Sequence, residues 1–332
     1  MVAKMLKNPA PPPELIQNGS FSYSSLLEQI RLEISPNPAT THQSTGWYSS
    51  SEGLQIFYRI WKSAHNPPKG VILCLHGMGG DGEYYVLLAD QLIAAGYTIV
   101  VYDHVGHGFS EGPRGDIRDF SLHFRIAAEM LRWVGSEFPN IPIFALGESM
   151  GGTVLINTLI DSNHLPSLRG ILLFAPGVKV KKNVASPKLV LKMIPPLLIS
   201  PFCPGRLSFE IRAQPSDNIR NGLPIMHPLH FEYDLTHPYH WSHVSGRFLW
   251  QINKAFNRAL IQGPALIGVP LILFYGTNDL GIDRAGVVSF FERVSCPHKE
   301  FVEVEGAPHA MFTHPTFQPY WKKIIAWLNQ RS

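Results

Sequence analysis

At 332 residues, 45% hydrophobic and 16% charged, the chain holds enough apolar material for one large domain or a domain with a sizeable insertion. A formal charge of +3 and the lack of any Lys/Arg block argue against nucleic acid as a partner. The three cysteines, Cys74, Cys203 and Cys296, show no C-x-x-C spacing, which argues against a disulfide framework or a zinc knuckle.

In chain order, residues 1–45 are irregular and proline- and serine-containing, and read as a leader. Met1–Pro13 carries no secretory signature, and no run of ~18 apolar residues offers a membrane span. The expected location is cytoplasmic, with attachment to a membrane surface left open. The body begins near residue 46. Leu54–Trp61 predicts a strand, and Val71–Leu75, apolar throughout, predicts a strand buried on both faces. Tyr84–Ala95 predicts a helix stopped by Gly96, and Thr98–Tyr102 another strand. Apolar residues at 117, 120, 124, 127, 131 and 134 predict a helix with one buried face. A strand precedes Ser149 and a helix follows it. Ile171–Ala175, Leu271–Tyr275 and Phe301–Val304 predict three more strands, and Pro319–Asn329 a final helix with proline in its first turn.

This alternation predicts an α/β fold: a mostly parallel sheet with helices on both faces. One interval breaks the rhythm. The stretch between Ala175 and Leu271 is far longer than a crossover needs and is rich in proline and aromatic residues. It predicts a lid inserted over the carboxyl edge of the sheet, where such sheets bind ligands. The expected organisation is a leader at 1–45, a first core part at 46–177, a lid at 178–264 and a second core part at 265–332.

The chemistry starts from Gly147-Glu148-Ser149-Met150-Gly151-Gly152. G-x-S-x-G between a strand and a helix describes a sharp turn that exposes a serine hydroxyl and aims the Met150 N–H at a developing oxyanion. A serine nucleophile needs a base, and the base an acid to orient it. His309, in the loop after the Phe301–Val304 strand, is the better-placed base, with His314 five residues beyond it. Asp279 stands at the mouth of the Leu271–Tyr275 strand. Asp283 is the fallback, with a ready explanation as a helix N-cap. The chain order Ser149, Asp279, His309 is that of α/β-hydrolases. The loop His76-Gly77-Met78-Gly79-Gly80 stands where that fold supplies a second oxyanion donor, the Met78 N–H.

Two rival readings compete for the same residues. Gly77-Met78-Gly79-Gly80-Asp81-Gly82 is a G-x-G-x-x-G after a strand, and Asp103 ends the next strand at the distance expected of a ribose-binding acid. That reading makes the chain a nicotinamide oxidoreductase, but leaves Ser149, Asp279 and His309 unused. His227, His230, His237, His240 and His243 suggest a metal. No cysteine or H-E-x-x-H accompanies them, so the expectation is no metal and no cofactor.

With these motifs assembled, the chain resembles the monoacylglycerol lipases and lysophospholipases of the α/β-hydrolase superfamily. The resemblance rests on H-G-M-G-G (76–80), Y-D-H-V-G-H-G-F-S-E-G (102–112), G-E-S-M-G-G (147–152), Y-G-T-N-D (275–279) and E-G-A-P-H (305–309). It implies a triad of Ser149, Asp279 and His309, oxyanion donors at Met78 and Met150, and a small-molecule acyl ester as substrate, and it leaves peripheral membrane contact through the lid open. Three residues depart from the animal members: Glu148 and Phe312 stand where those carry histidine, and Tyr84 where they carry arginine. These become the substrate-pocket candidates. A broad carboxylesterase, thioesterase or amidase with the same triad is the alternative, and a non-catalytic binding protein on the same fold a more distant one.

Overall fold

The computed structural model of the chain describes residues 25–34, 43–161, 164–181, 208–210, 233, 236–241 and 243–332. Among the described residues, eight strands form the main sheet: β1 (Gln43–Ser49), β2 (Gln55–Trp61), β3 (Gly70–Leu75), β4 (Tyr97–Tyr102), β5 (Ile143–Glu148), β6 (Leu168–Phe174), β9 (Leu271–Gly276) and β10 (Lys299–Val304). Between β6 and β9 in the chain, β7 (Ser208–Glu210) and β8 (His243–Ser245) pair antiparallel as a separate ribbon. The main sheet runs in the order β1-β2-β4-β3-β5-β6-β9-β10. β2 pairs antiparallel with β1 and with β4, and all later pairings are parallel.

β3, β4, β5 and β9 are buried at every position, which is why they read as unbroken apolar runs. Alternate residues serve opposite faces. Val71, Leu73 and Leu75 of β3 join one core layer, while Ile72 and Cys74 join the other. The first layer is completed by α3 (Ser121–Glu137), α4 (Met150–Asp161) and α5 (Gly246–Leu266), through Phe124, Leu131, Leu155 and Ile252. The second is completed by α1 (Ser25–Ile34), α2 (Val86–Ile93) and α7 (Trp321–Asn329), through Leu27, Leu88, Ile324 and Leu328. α6 (Arg284–Arg293) precedes β10.

Several boundaries differ from the sequence expectation for local reasons. The sheet starts at Gln43, inside the expected leader, and α1 lies further upstream, tied to the body by Arg31 on Asp90 at 2.7 Å. The helix expected from Ile117 starts at Ser121, with Ile117 and Phe120 buried in the turn before it. Glu83–Tyr85 and Pro315–Tyr320 are 3-10 turns leading into α2 and α7, and Pro319 sits in the second. The largest difference is α5. It falls mostly within the expected lid, yet it buries Phe248, Ile252, Ala255 and Ala259 in the same core layer as α4. Ser245 caps it by accepting the Phe248 N–H at 2.9 Å. Of the rest of the expected lid, 182–207, 211–232, 234–235 and 242 lie outside the described residues, and with them His227 and His230.

Candidate active site

Ser149 is the single residue between the end of β5 and the start of α4, and its φ is 50°. A left-handed conformation at a non-glycine residue costs about 1–3 kcal/mol and persists only where its surroundings fix it. Here the Ser149 N–H donates to Phe174 O at 2.9 Å, and the Gly177 N–H donates to Ser149 O at 2.9 Å. The flanking glycines are steric necessities. A Cβ at Gly151 would lie 2.0 Å from Leu75 O, and one at Gly147 would lie 2.6 Å from Gly152 Cα.

The loops after β9 and β10 meet beside this turn. The Asn278 N–H donates to Ala307 O at 3.0 Å, and the Gly306 N–H to Thr277 Oγ1 at 2.8 Å. This brings His309 Nδ1 to 2.7 Å from Asp279 Oδ2 and His309 Nε2 to 2.9 Å from Ser149 Oγ. Asp279 is fully buried, and its other oxygen accepts the N–H groups of Gly281 (2.7 Å) and Ile282 (2.9 Å). An ionised carboxylate can only accept, so Nδ1 carries the ring proton and Nε2 presents a lone pair to the serine hydroxyl. Burial opposes ionisation of Asp279, but His309 and the two backbone donors hold its pKa below the usual carboxylate value. Burial likewise disfavours a charged His309, but the Asp279 carboxylate, and to a lesser degree Glu148, raise its pKa above the ordinary imidazole value. The two runner-up residues are engaged elsewhere: Asp283 pairs with Lys179 at 3.0 Å, and His314 Nδ1 contacts Thr316 Oγ1 at 2.8 Å.

The loop after β3 lies against the same turn, since a Cβ at Gly77 would sit 3.6 Å from Ser149 Cβ. His76 fixes its path: Nδ1 donates to Gly77 O at 2.7 Å, and Nε2 accepts the His104 N–H at 3.0 Å. Met150 is the first residue of α4, so its N–H has no partner within the helix. The two expected oxyanion donors belong to separate segments, the loop after β3 and the start of α4.

Glu148, Tyr84 and Phe312 form one contact group. The Tyr84 hydroxyl donates to Glu148 Oε2, and the Tyr84 and Phe312 rings stack at 5.5 Å with an interplanar angle of 10°. All three are buried, at 4%, 6% and 0% exposure, so they back the site from within instead of forming an open pocket wall. Sequence reading found each as a separate departure but not their mutual contact.

Asp103 does not have the role that the dinucleotide reading requires. Its Oδ1 accepts Arg59 Nη1 at 2.6 Å and the Gly82 N–H at 2.8 Å, and its Oδ2 accepts the Phe109 N–H at 2.9 Å. The carboxylate is fully buried and shared among these donors, so no ribose hydroxyl reaches it. Around it lie His76, His104, His107 and His123, all buried. Burial pushes their pKa values down, to about 3 for His123, so they are neutral.

Known proteins resemble the chain in sequence and in fold. The family model described as "Serine aminopeptidase, S33" matches residues 66–316. A monoglyceride lipase homolog of Monkeypox virus is 26% identical over 294 residues, covering 87% of this chain and 99% of that protein. Phospholipase YtpA of Bacillus subtilis is 27% identical over 274 residues (82% and 99%), and human monoglyceride lipase is 27% identical over 297 residues (85% and 89%). The crystal structure of a soluble variant of yeast monoglyceride lipase, in complex with a substrate analog, superposes with a TM-score of 0.74 at 20% identity, covering 86% of this chain and 95% of that one. This likeness shows the shared α/β-hydrolase fold.

Proposed function

The chain belongs to the serine aminopeptidase S33 family, and from that premise we propose that it is a serine hydrolase of carboxylic esters acting on monoacylglycerol-type lipids. The observation that carries this reading is the unbroken hydrogen-bonded line from Asp279 through His309 to Ser149, set on a left-handed turn between strand and helix. The choice of ester is supported by the monoglyceride lipases and the phospholipase among its relatives.

His309 Nε2 takes the Ser149 proton as Oγ attacks the ester carbonyl, and Asp279 stabilises the imidazolium that forms. The tetrahedral oxyanion is held by the Met78 and Met150 N–H groups, each donor contributing about 3 kcal/mol to the transition state. His309 then protonates the leaving alcohol. Water, deprotonated by the same ring, releases the fatty acid from the acyl-serine. The ring returns that proton to Ser149 Oγ as the acyl bond breaks, which restores the starting state.

Active-site labelling with a fluorophosphonate, combined with monoacylglycerol turnover, tests the reading. The wild type should be labelled at Ser149 and release fatty acid, and Ser149→Ala should lose both. Turnover retained by the alanine variant would refute the nucleophile. Labelling with no turnover of esters of any chain length would refute the substrate class.

A further inference from the structure

The segment 236–241 closes over the loop that follows β3, with the Trp241 N–H donating to Gly79 O at 3.2 Å. Two of its histidines turn inward on one carboxylate oxygen. His237 Nδ1 lies 3.7 Å and His240 Nε2 3.6 Å from Asp81 Oδ2. The three ligating atoms all lie within 4.8 Å of one another. The side chains are 0% (Asp81), 7% (His237) and 1% (His240) exposed. Asp81 Oδ1 accepts the Glu83 N–H at 2.7 Å, whereas Oδ2, aimed between the two rings, has no hydrogen-bond partner.

The orientation of His237 decides what faces the gap. Its Nε2 lies 2.9 Å from Glu83 Oε2, which turns Nδ1 toward the Asp81 oxygen. A buried carboxylate oxygen with a ring nitrogen on either side calls for a positive charge between them. A proton fits poorly, because 3.6 and 3.7 Å are too long for a hydrogen bond to either ring. A metal ion fits better. Tetrahedral bonds of about 2.0–2.1 Å put neighbouring ligand atoms roughly 3.3 Å apart, a few tenths of an ångström inside the two distances from Asp81 to the rings. The two ring nitrogens lie within 4.8 Å of each other and would draw together on the ion. Two imidazoles and a carboxylate suit zinc rather than calcium or magnesium. A carboxylate on the far nitrogen of a ligating histidine is the usual outer support of such a centre.

We propose that Asp81, His237 and His240 bind one zinc-class divalent ion, with Glu83 orienting His237 and a fourth position open to water. Such an ion would rivet the segment 236–241 to the loop that carries Met78. Sequence reading set these histidines aside because no cysteine or H-E-x-x-H accompanies them; the acidic partners lie far away in the chain, Glu83 being 154 residues from His237.

The test uses the full chain after chelation, titrated with zinc chloride by calorimetry and with cobalt(II) by absorption. The expected result is one equivalent bound, tetrahedral-type cobalt bands, and displacement of cobalt by zinc. Glu83→Gln should weaken zinc binding by roughly 10–100-fold while keeping the stoichiometry. The double variant His237→Ala/His240→Ala should bind none. Failure of the wild type to bind one saturable equivalent would overturn the proposal even if the double variant misfolds. So would undiminished binding by a folded double variant.

Discussion

The loops after β4 and β9 each carry a buried aspartate with histidines nearby, and the two carboxylates work differently. Asp103 distributes its oxygens among Arg59, Gly82 and Phe109, all fixed donors. Asp279 leaves one oxygen to two backbone donors and gives the other to His309, whose far nitrogen reaches a serine hydroxyl. The imidazoles follow suit. His104, His107 and His123 are held neutral by burial, whereas His309 is raised by the anion beside it. Burial alone thus makes a histidine inert. Burial next to a carboxylate with an oxygen to offer makes it a base.

Exchanging each acid for its amide separates the two regions most sharply. Asp279→Asn should lower kcat by about 10,000-fold with the fold intact, because an amide cannot hold the tautomer or stabilise the imidazolium. A loss of less than tenfold would dissolve the distinction. Asp103→Asn should act on stability instead, costing about 3–5 kcal/mol by breaking the buried ion pair with Arg59. Denaturant unfolding measures that cost, and an unchanged midpoint would count against the structural role.

Acid sharpens the contrast further. The folded-state pKa of His123, about 3, lies below its unfolded value, so the unfolded chain binds the extra proton. The stability contributed by the neutral ring is full above the unfolded value, near ~6.5, and drains away as pH falls toward the folded one. The slope approaches about 1.4 kcal/mol per pH unit for each such proton. His123→Phe should flatten the difference between urea midpoints at neutral and mildly acidic pH; an unaltered difference would show that other groups set it.

The smallest expected effect concerns Glu148. His309 must be neutral to accept a proton, so kcat/KM should fall as pH drops through its raised pKa. Glu148→Gln removes one source of that raise and should move the acid limb to lower pH by a fraction of a unit. A shift toward higher pH would contradict the assignment.

What could be read in the sequence follows from where information is local. The central strands were legible because burial on both faces forces continuous apolar runs. The turn at Ser149 was legible because Gly147 and Gly151 have no room for a side chain. β1 was missed because QSTGWYS lies at the sheet edge, half-buried, and its polar residues resemble a leader. α5 was read into the lid because the proline-rich stretch before it masked an amphipathic helix. The stacking of Tyr84 on Phe312 and the gathering of Asp81 with His237 and His240 are tertiary, and no spacing along the chain encodes them.

The placement of His309 has a consequence for biosynthesis. It lies 160 residues after Ser149, beyond a strand whose only partner among the described residues is β9. At roughly 5–20 residues per second of synthesis, the proposed nucleophile emerges on the order of ten seconds before its base. Until β10 docks, the nascent chain holds a primed turn and nothing to deprotonate it. Ester turnover would then certify that translation has run to the last strand, and a chain stalled before Lys299 would pass through the cell harmless to its lipids.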